Sequence, residues 1–340
     1  MDSNQQPKGL VLPRTPFRVE YEITGFCNLD CVYCYAKPLS HEEPSFEQLE
    51  YLFKKTQKEV NPFEVALVGG EPFMRKDIIS ILQMANSIFE TAICVSTNGT
   101  LLCRLSKGDL EELKALYGYG AKNLGNFQIS LDSIDPAINE RTRGLTSLTI
   151  KGMDALEQNG IPFAVSFVIT SFNSNFVANT VEHLLKAYKN AIAITVEPLQ
   201  KTITMDNKTY ELLRVPITEF QLVIDDIKSV IQESGRIDIT VHGGIDMCME
   251  NEFLLNTYNF KICTAGLLRA SVLTNGDVVP CFIIRNQIVG NVYREPWETI
   301  WKRSLERFLQ LNLSNVNNSA QCLGTNNLLR TEREKQKTHG

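Results

Sequence analysis

The stretch VEYEITGFCNLDCVYCY, residues 19–35, joins a short apolar run to a loop that contains three cysteines. Val19–Ile23 has the length and the β-branched and aromatic content of a strand. The loop carries Cys27, Cys31 and Cys34 with the spacing C-x3-C-x2-C. Three thiolates in so tight a loop can each bind a different iron of a [4Fe–4S] cubane and leave the fourth iron open. A structural zinc is the alternative, but its fourth ligand would have to be His41.

The same succession of an apolar run and an amphipathic, helix-length segment continues to about residue 237. The predicted strands are Val19–Ile23, Glu64–Val68, Ala92–Ser96, Phe127–Leu131, Phe163–Ile169 and Ala191–Val196. The predicted helices are Ser45–Val60, Lys76–Phe89, Asp109–Tyr117, Leu148–Asn159, Val177–Tyr188 and Ile217–Ser234. Ser45 and Gln48 predict a capping box at the start of the first helix. Six β-then-α units predict an α/β fold, a partial (β/α)6 TIM-type barrel with its chemistry at the C-terminal strand ends.

Glycines and short polar side chains follow the next three strands. Gly69-Gly70-Glu71-Pro72 ends the second strand, Ser96 and Asn98 end the third, and Ser130 and Asp132 end the fourth. Glycines permit close approach of the backbone to a ligand, and short hydroxyl and carboxylate side chains can bond to sugar hydroxyls or to an amino acid. Turn formation and helix capping are the alternative for each motif taken alone.

The cysteine spacing, its place after the first strand, Asn28-Leu29 and Tyr33 together resemble the radical S-adenosylmethionine (SAM) superfamily. The resemblance implies that the open iron of a [4Fe–4S] cluster on the three loop cysteines binds SAM. Reduction then cleaves SAM to methionine and a 5′-deoxyadenosyl radical. The implied SAM-binding residues are Tyr33, Gly69, Gly70, Glu71, Pro72, Ser96, Asn98, Ser130, Asp132, Arg143 and Ile169.

Three of these residues have a more specific expected role. By the resemblance, Tyr33 flanks the adenine and Ile169 gives it an apolar contact. Arg143 is expected to pair with the SAM carboxylate, because a planar guanidinium matches a carboxylate in a bidentate fashion. Arg141 is the weaker candidate for that pairing, and a solvated surface position is the alternative for Arg143.

A different pattern begins after residue 237. Asn275-Gly276 between two apolar runs predicts a hairpin that folds Cys263 back towards Cys281. The spacing C-x12-G-x4-C resembles the opening of the SPASM or twitch domains that follow many radical SAM barrels. The implied ligands of an auxiliary [4Fe–4S] cluster are Cys248, Cys263, Cys281 and Cys322. If Cys248 is not a ligand, one iron is open to substrate; a structural zinc is the alternative to the cluster.

The expected organisation follows from these patterns. We expect an N-terminal extension over residues 1–18, the barrel over 19–237, a small α+β cysteine-containing domain over 238–325 and a polar tail over 326–340. Only 18 residues precede the first strand, so we expect no leader-binding domain before the barrel, which weighs against a peptide substrate.

Composition sets further limits. The net charge of −5 and the pI of about 5.6 give no basic footprint for nucleic acid. No apolar run approaches the ~20 residues of a transmembrane helix, and the N-terminus has no signal peptide. We therefore expect a cytoplasmic protein with no membrane partner, in which the nine cysteines are not a disulfide framework.

The resemblance implies an enzyme that abstracts hydrogen from a substrate and takes its electron from a donor such as flavodoxin or ferredoxin. Relatives with this auxiliary domain mostly modify peptides or proteins, so we place that substrate class slightly ahead. A small molecule (a nucleotide, an aminocyclitol or a tetrapyrrole) is the alternative. An iron–sulfur electron carrier without SAM chemistry is an alternative of a different class, and it leaves Gly69–Pro72 and Ser130–Asp132 without a role.

Overall fold

The computed structural model describes residues 12–36, 43–123, 125–236, 240–243 and 264–313. Several predictions fall on residues outside these ranges. They concern His41 as a zinc ligand, Cys248, Cys263 and Cys322 as cluster ligands, and the polar tail.

Ten strands among the described residues form one sheet. They are β1 (Arg18–Glu22), β2 (Glu64–Val68), β3 (Ala92–Thr97), β4 (Phe127–Ser130), β5 (Phe163–Ile169), β6 (Ala191–Pro198), β7 (Thr240–Gly243), β8 (Arg269–Val272), β9 (Asp277–Val279) and β10 (Gly290–Asn291). Their order is β10-β9-β8-β1-β2-β3-β4-β5-β6-β7, and all pairs from β8 to β7 are parallel. The predicted α/β partial barrel is confirmed.

The helices follow the strands in the predicted alternation. They are α1 (Phe46–Glu59), α2 (Ile78–Ile88), α3 (Lys107–Tyr117), α4 (Pro136–Asn139), α5 (Thr146–Gln158), α6 (Val177–Ala187), α7 (Asn207–Leu213), α8 (Ile217–Ser234) and α9 (Trp297–Leu313). The short α4 and α7 were not predicted; each begins after an aspartate cap that a longer periodic pattern does not mark. The capping box of α1 is present, because Ser45 and Gln48 each accept a hydrogen bond from the other's backbone N–H. No helix in the described ranges is long and apolar enough to cross a membrane.

The sheet continues past residue 237, where we expected the alternation to stop. β7 pairs with β6, and β8 pairs in parallel with β1, with Arg18 opposite Arg269. The predicted hairpin joins β8 and β9, and Gly276 has a φ of +83° in its turn. The C-terminal segment thus supplies one edge of the barrel sheet. The domain boundary at 237 stays a prediction, because strand pairing across it does not fix where a folding unit ends.

The two faces of the strands differ in character. The outward face is apolar and packs under the helices in one core, with members that include Val19, Tyr21, Val65, Leu67, Ile93, Val95, Phe127, Ile129, Phe163, Val165, Phe167, Ile194, Val196, Ala270 and Val272. The alternate positions face inward and are mostly small or polar: Arg18, Glu20, Glu22, Glu64, Ala66, Cys94, Ser96, Gln128, Ser130, Ala164, Ser166, Thr195, Glu197, Arg269 and Ser271. Bulky branched residues normally fill a closed barrel. The interior of this one, which we call the lumen, is lined instead by side chains suited to a polar ligand.

Candidate functional site

The three cysteines predicted to bind a cluster lie in the loop between β1 and α1. The backbone N–H of Leu29 donates to Cys27 Sγ and that of Ala36 donates to Cys34 Sγ, each over 3.4 Å. The Cys34 N–H donates to the Cys31 carbonyl at 3.2 Å, which closes a tight turn between the last two cysteines. The thiols are near enough for their charges to interact. The loop therefore gathers the three sulfur atoms at the C-terminal end of β1.

The protonation of these thiols is set by burial. Burial raises the pKa of Cys31 to about 11, against the opposing charge of Arg143, and burial also raises the pKa of Cys27. A raised pKa means that forming the thiolate costs free energy. Metal binding deprotonates a coordinating thiol, so the bonds to an iron cluster would offset that cost. Among the described residues, no three His, Cys, Asp or Glu side chains converge on one ion position.

The glycines after β2 bring that loop against the cysteine loop. The Gly70 N–H donates to the Thr24 carbonyl at 2.8 Å, and the Glu71 N–H donates to the Phe26 carbonyl at 2.7 Å. A Cβ on Gly69 would lie 2.5 Å from the Thr24 carbonyl oxygen, and one on Gly70 would lie 2.1 Å from that of Phe26. Glycine is required here by the approach of two backbones, a reason that the sequence pattern did not reveal.

Glu71 is buried behind this contact. One carboxylate oxygen accepts hydrogen bonds from the Thr97 hydroxyl at 2.6 Å and the Phe73 N–H at 3.0 Å. The other oxygen accepts from the Asn98 N–H at 2.7 Å. Burial raises the pKa of Glu71, although these donors oppose it. Glu71 thus fixes the end of β3 against the end of β2.

Asn98 continues the connection back to the cysteine loop. Its side-chain Nδ2 donates to Asn28 Oδ1 at 2.9 Å, and Asn28 Nδ2 donates to the Thr100 hydroxyl at 2.8 Å. The ends of β1, β2 and β3 are therefore joined through side chains. Asn28 and Thr100 were not among the predicted site residues; Asn28, directly after the first cysteine, was the available signal.

Asp132, after β4, is fully buried and holds the other side of the cysteine loop. It accepts hydrogen bonds from the Tyr33 hydroxyl, from the Thr142 hydroxyl at 2.7 Å and from the Val168 N–H at 3.2 Å. It also forms an ion pair with Arg143, whose Nε lies 3.0 Å from Asp132 Oδ1. One carboxylate thus connects the loops after β1 and β4 to strand β5.

Arg143 carries its charge beside the cysteine loop. Burial alone would lower its pKa, but the nearby Asp132, Tyr33 and Cys31 outweigh that effect and raise it. Its guanidinium carbon lies 5.3 Å from the centroid of the Tyr33 ring. Arg141 differs, since it is exposed and stacks on Phe172 at 3.6 Å. Arg143 is therefore the inward-facing arginine of the two.

The predicted SAM-binding residues are gathered at the C-terminal ends of β1 to β5 but differ in accessibility. Glu71, Asp132 and Ile169 are at most 1% exposed, and Tyr33, Pro72 and Asn98 are also buried. Partly exposed members are Gly69, Gly70, Ser96, Ser130 and Arg143. The Ser96 hydroxyl donates to Gln128 Oε1 at 3.2 Å on the inward face. Only the second group offers surface to a ligand.

Charged side chains extend the site down the lumen, and sequence reasoning missed them. Arg18 pairs with Glu20 at 2.9 Å and with Glu64 at 2.7 Å, while Arg285 pairs with Glu22 through two bonds of 2.8 and 2.9 Å. Burial would raise the pKa of Glu20, but the charges of Arg18 and Arg269 lower it. The signal was present in β1, whose alternate residues 18, 20 and 22 are charged within a buried strand.

Of the cysteines predicted for an auxiliary cluster, only Cys281 lies in the described ranges. It is buried after β9, and Arg269 Nη2 donates to its Sγ at 3.6 Å. The next residue, Phe282, stacks on Tyr35 with ring centroids 5.2 Å apart. Tyr35 itself follows Cys34, so residues adjacent to the two cysteine sites are in direct contact.

Family comparisons agree with this arrangement. Residues 21–197 match the Radical SAM superfamily, and residues 263–324 match SPASM, an iron–sulfur cluster-binding domain. The SPASM match includes Cys263, Cys281 and Cys322 and begins after Cys248.

Individual relatives differ in what their names describe. A probable GTP 3′,8-cyclase from Methanothermobacter thermautotrophicus is 25% identical over 296 residues, 81% of this chain and 87% of that protein. The sporulation killing factor maturation protein SkfB from Bacillus subtilis is 26% identical over 318 residues, 91% of this chain and 69% of that protein. Among solved structures, Streptococcus suis SuiB bound to the precursor peptide SuiA has a TM-score of 0.68 and 16% identity. That match covers 85% of this chain and 65% of SuiB, and it shows a shared fold.

Proposed function

Because this chain belongs to the radical SAM superfamily, we propose that it modifies a peptide or protein by abstracting a hydrogen atom from it. It is a radical SAM enzyme with a SPASM domain, which implies [4Fe–4S] clusters and SAM as cofactors. When bound, cluster and SAM together supply a 5′-deoxyadenosyl radical by one-electron cleavage of SAM. The observation that carries the substrate class is the similarity to SkfB along 91% of the chain, since that name describes maturation of a killing factor.

The residues of the cysteine loop have a defined part in this proposal. Cys27, Cys31 and Cys34 hold the SAM-binding cluster, and the N–H groups of Leu29 and Ala36 stabilise the thiolate charge at two of them. Gly69, Gly70, Ser96 and Ser130 offer polar groups to SAM at the strand ends. That list, with Arg143, is the accessible part of the predicted pocket.

Arg143 is the group that orients an anion. Asp132 holds its Nε, which limits the rotation of the guanidinium and keeps its charge beside Cys31. A fixed arginine loses less entropy when it binds a carboxylate. Glu71 and Asp132 are buried, so they act as positioning residues that fix the loops rather than as contacts. Tyr33 and Ile169 are buried as well, so we assign them a place behind the adenine pocket, where they support the residues that line it.

The C-terminal segment supplies the auxiliary site. Cys263, Cys281 and Cys322 are the proposed ligands of the second cluster, with Cys248 as the fourth. An iron–sulfur or flavin carrier of the ferredoxin or flavodoxin type is the proposed electron donor. The substrate enters the lumen, whose small and polar wall leaves room below the cysteine loop.

A nucleotide substrate is the second candidate, because the alignment with the probable GTP 3′,8-cyclase spans 87% of that protein. The test is anaerobic reconstitution with SAM and dithionite, followed by addition of either GTP or a library of random linear peptides. We expect a peptide to accelerate 5′-deoxyadenosine formation and to change mass, while GTP has no effect. Acceleration by GTP with a new nucleotide product would overturn the peptide assignment.

A further inference from the structure

Most charges of the lumen are already paired. Arg18 lies within 2.9 Å of both Glu20 and Glu64 oxygens, and Arg285 holds both oxygens of Glu22. These pairs place positive and negative groups together on the β1 side of the barrel. Buried carboxylates need such partners, because an unpaired buried charge is costly.

Glu197, at the C-terminal end of β6, is the exception. It forms no hydrogen bond or ion pair with any residue that the structure describes, whereas Arg269, the guanidinium that acts on it most strongly, donates to Cys281 Sγ. Together with Glu197, the lumen holds four carboxylates (Glu20, Glu22, Glu64 and Glu197) against three guanidinium groups (Arg18, Arg269 and Arg285). The described lumen therefore has one carboxylate in excess.

The side chain of Glu197 faces the lumen. Its neighbours Ile194 and Val196 are fully buried in the core under the helices, and Val196 occupies the opposite face of β6. Four strands separate β6 from β1 in the sheet, yet the charges of Glu20 and Arg18 act on Glu197. They can do so only across the interior. Glu197 is exposed to water while burial raises its pKa, as expected of a side chain that opens on the barrel interior.

An apolar wall stands on the other side of the barrel interior. Phe282 packs on Ala66 and Val68 of β2 and stacks on Tyr35. The lumen thus combines an aromatic surface near the cysteine loop with a carboxylate on β6 that no described residue pairs. A long side chain with an aliphatic stem and a cationic end matches both features.

We propose that Glu197 is a specificity-determining residue that binds a cationic substrate group, the ammonium or guanidinium of a lysine or arginine in the peptide. The inference rests on the proposed function, because it assumes a peptide substrate. The carboxylate gains a charge-assisted hydrogen bond that no residue in the described ranges supplies. Fixing one side chain on β6 also fixes which neighbouring peptide residue lies below the cysteine loop.

The test is selection of random linear peptides on the reconstituted enzyme with SAM and without reductant, so that binding occurs without turnover. We expect lysine or arginine to be enriched roughly tenfold at one position, the ratio that a single charge-assisted bond gives. Glu197→Gln should lose this enrichment, and Glu197→Lys should select aspartate or glutamate instead. Glu233→Gln on the solvent face of α8 is the matched control and should select as the parent does. Because Glu197 has no partner among the described residues, Glu197→Gln should melt no lower than the parent.

The outcomes separate this proposal from the proposed function. Peptides enriched without a basic residue, or a basic preference that survives in Glu197→Gln, would overturn the role of Glu197 and leave peptide modification standing. If no peptide is enriched, the proposal of peptide modification fails. Cation binding is then tested separately, by comparing the saturation-transfer NMR signals of agmatine and of uncharged 1,5-pentanediol. Agmatine contact that is lost in Glu197→Gln would support a cation site; equal signals in both proteins, or none, would overturn it.

Discussion

The cysteine loop after β1 and the segment around Cys281 are built in different ways. The loop has its three cysteines within eight residues and is held by the backbone N–H of Glu71 after β2 and by the carboxylate of Asp132 after β4. Cys281 reaches the barrel through contacts between distant parts of the chain: β8 on β1, Arg285 on Glu22 and Phe282 on Tyr35. The first site is thus assembled by the barrel itself, whereas the second depends on contacts with the barrel. Loss of the second should leave the first working, but damage to their junction should weaken the whole protein.

The largest expected effect comes from replacing Cys27, Cys31 and Cys34 together with alanine. The barrel should still fold, because its core lies on the outward face of the strands, but reductive SAM cleavage should stop. The reconstituted parent should hold about eight irons per chain, two [4Fe–4S] clusters' worth, and the triple variant about half. Iron analysis and 5′-deoxyadenosine chromatography measure both quantities.

Cys103→Ala is the control, since this partly exposed cysteine after β3 is not a predicted ligand. It should keep iron and activity. Persistent 5′-deoxyadenosine formation in the triple variant would refute the assignment of the loop. Four irons in the parent and none in the triple variant would show that there is no auxiliary cluster.

Cys281→Ala should give the next largest effect. We expect it to lose about half of the iron, as one [4Fe–4S] cluster disappears, and to stop product formation. SAM cleavage uncoupled from product should persist, because the barrel site does not depend on this residue. If the variant keeps all of its iron and forms product normally, Cys281 is not a ligand of a second cluster.

Arg285→Met tests the junction of the two regions. Glu22 and Arg285 have side chains 0% and 9% exposed, and removal of one member of a buried pair leaves an unpaired charge, which costs about 3–5 kcal/mol. Urea unfolding should show this loss in the single variant. The double variant Glu22→Gln/Arg285→Met should recover most of it, because no buried charge is then left alone. Equal losses of unfolding free energy in the single and the double variant would show that the unpaired charge is not the cause.

Ser45→Ala should have the smallest effect, because Ser45 is exposed and its capping bonds are made with Gln48. Removing the capping box of α1 should cost about 1 kcal/mol of unfolding free energy. Iron content and SAM cleavage should not change. A loss of iron would show that α1 transmits strain to the cysteine loop, and the independence of the first site would then fail.

The features that the sequence predicted are those with a local pattern. The strand and helix alternation, the capping box at Ser45 and the hairpin at Asn275-Gly276 each rest on residues close in the chain. The clustering of Gly69, Ser96 and Ser130 at one edge also follows, since parallel strands bring their C-terminal ends together. The roles of these residues towards SAM remain predictions.

The features that were missed depend on residues far apart in the chain. Nothing local to Asp132 shows that it accepts hydrogen bonds from Tyr33 and Val168 at once. Neither does the sequence of β6 show that charges on β1 and β8 act on Glu197. The charged alternation of β1 was a local clue to a polar lumen, but a strand with one solvated face has the same pattern.

The parallel pairing of β8 with β1 sets an order on biosynthesis. Arg18 and Arg269 are neighbours in the sheet although 251 positions apart in the chain, so β1 stays an open edge on the ribosome until the last quarter has emerged. Contacts of such high sequence separation slow folding. The loop after β1 would thus remain unsupported on one side throughout translation. Assembly of a cluster on this loop would then follow the synthesis of β8.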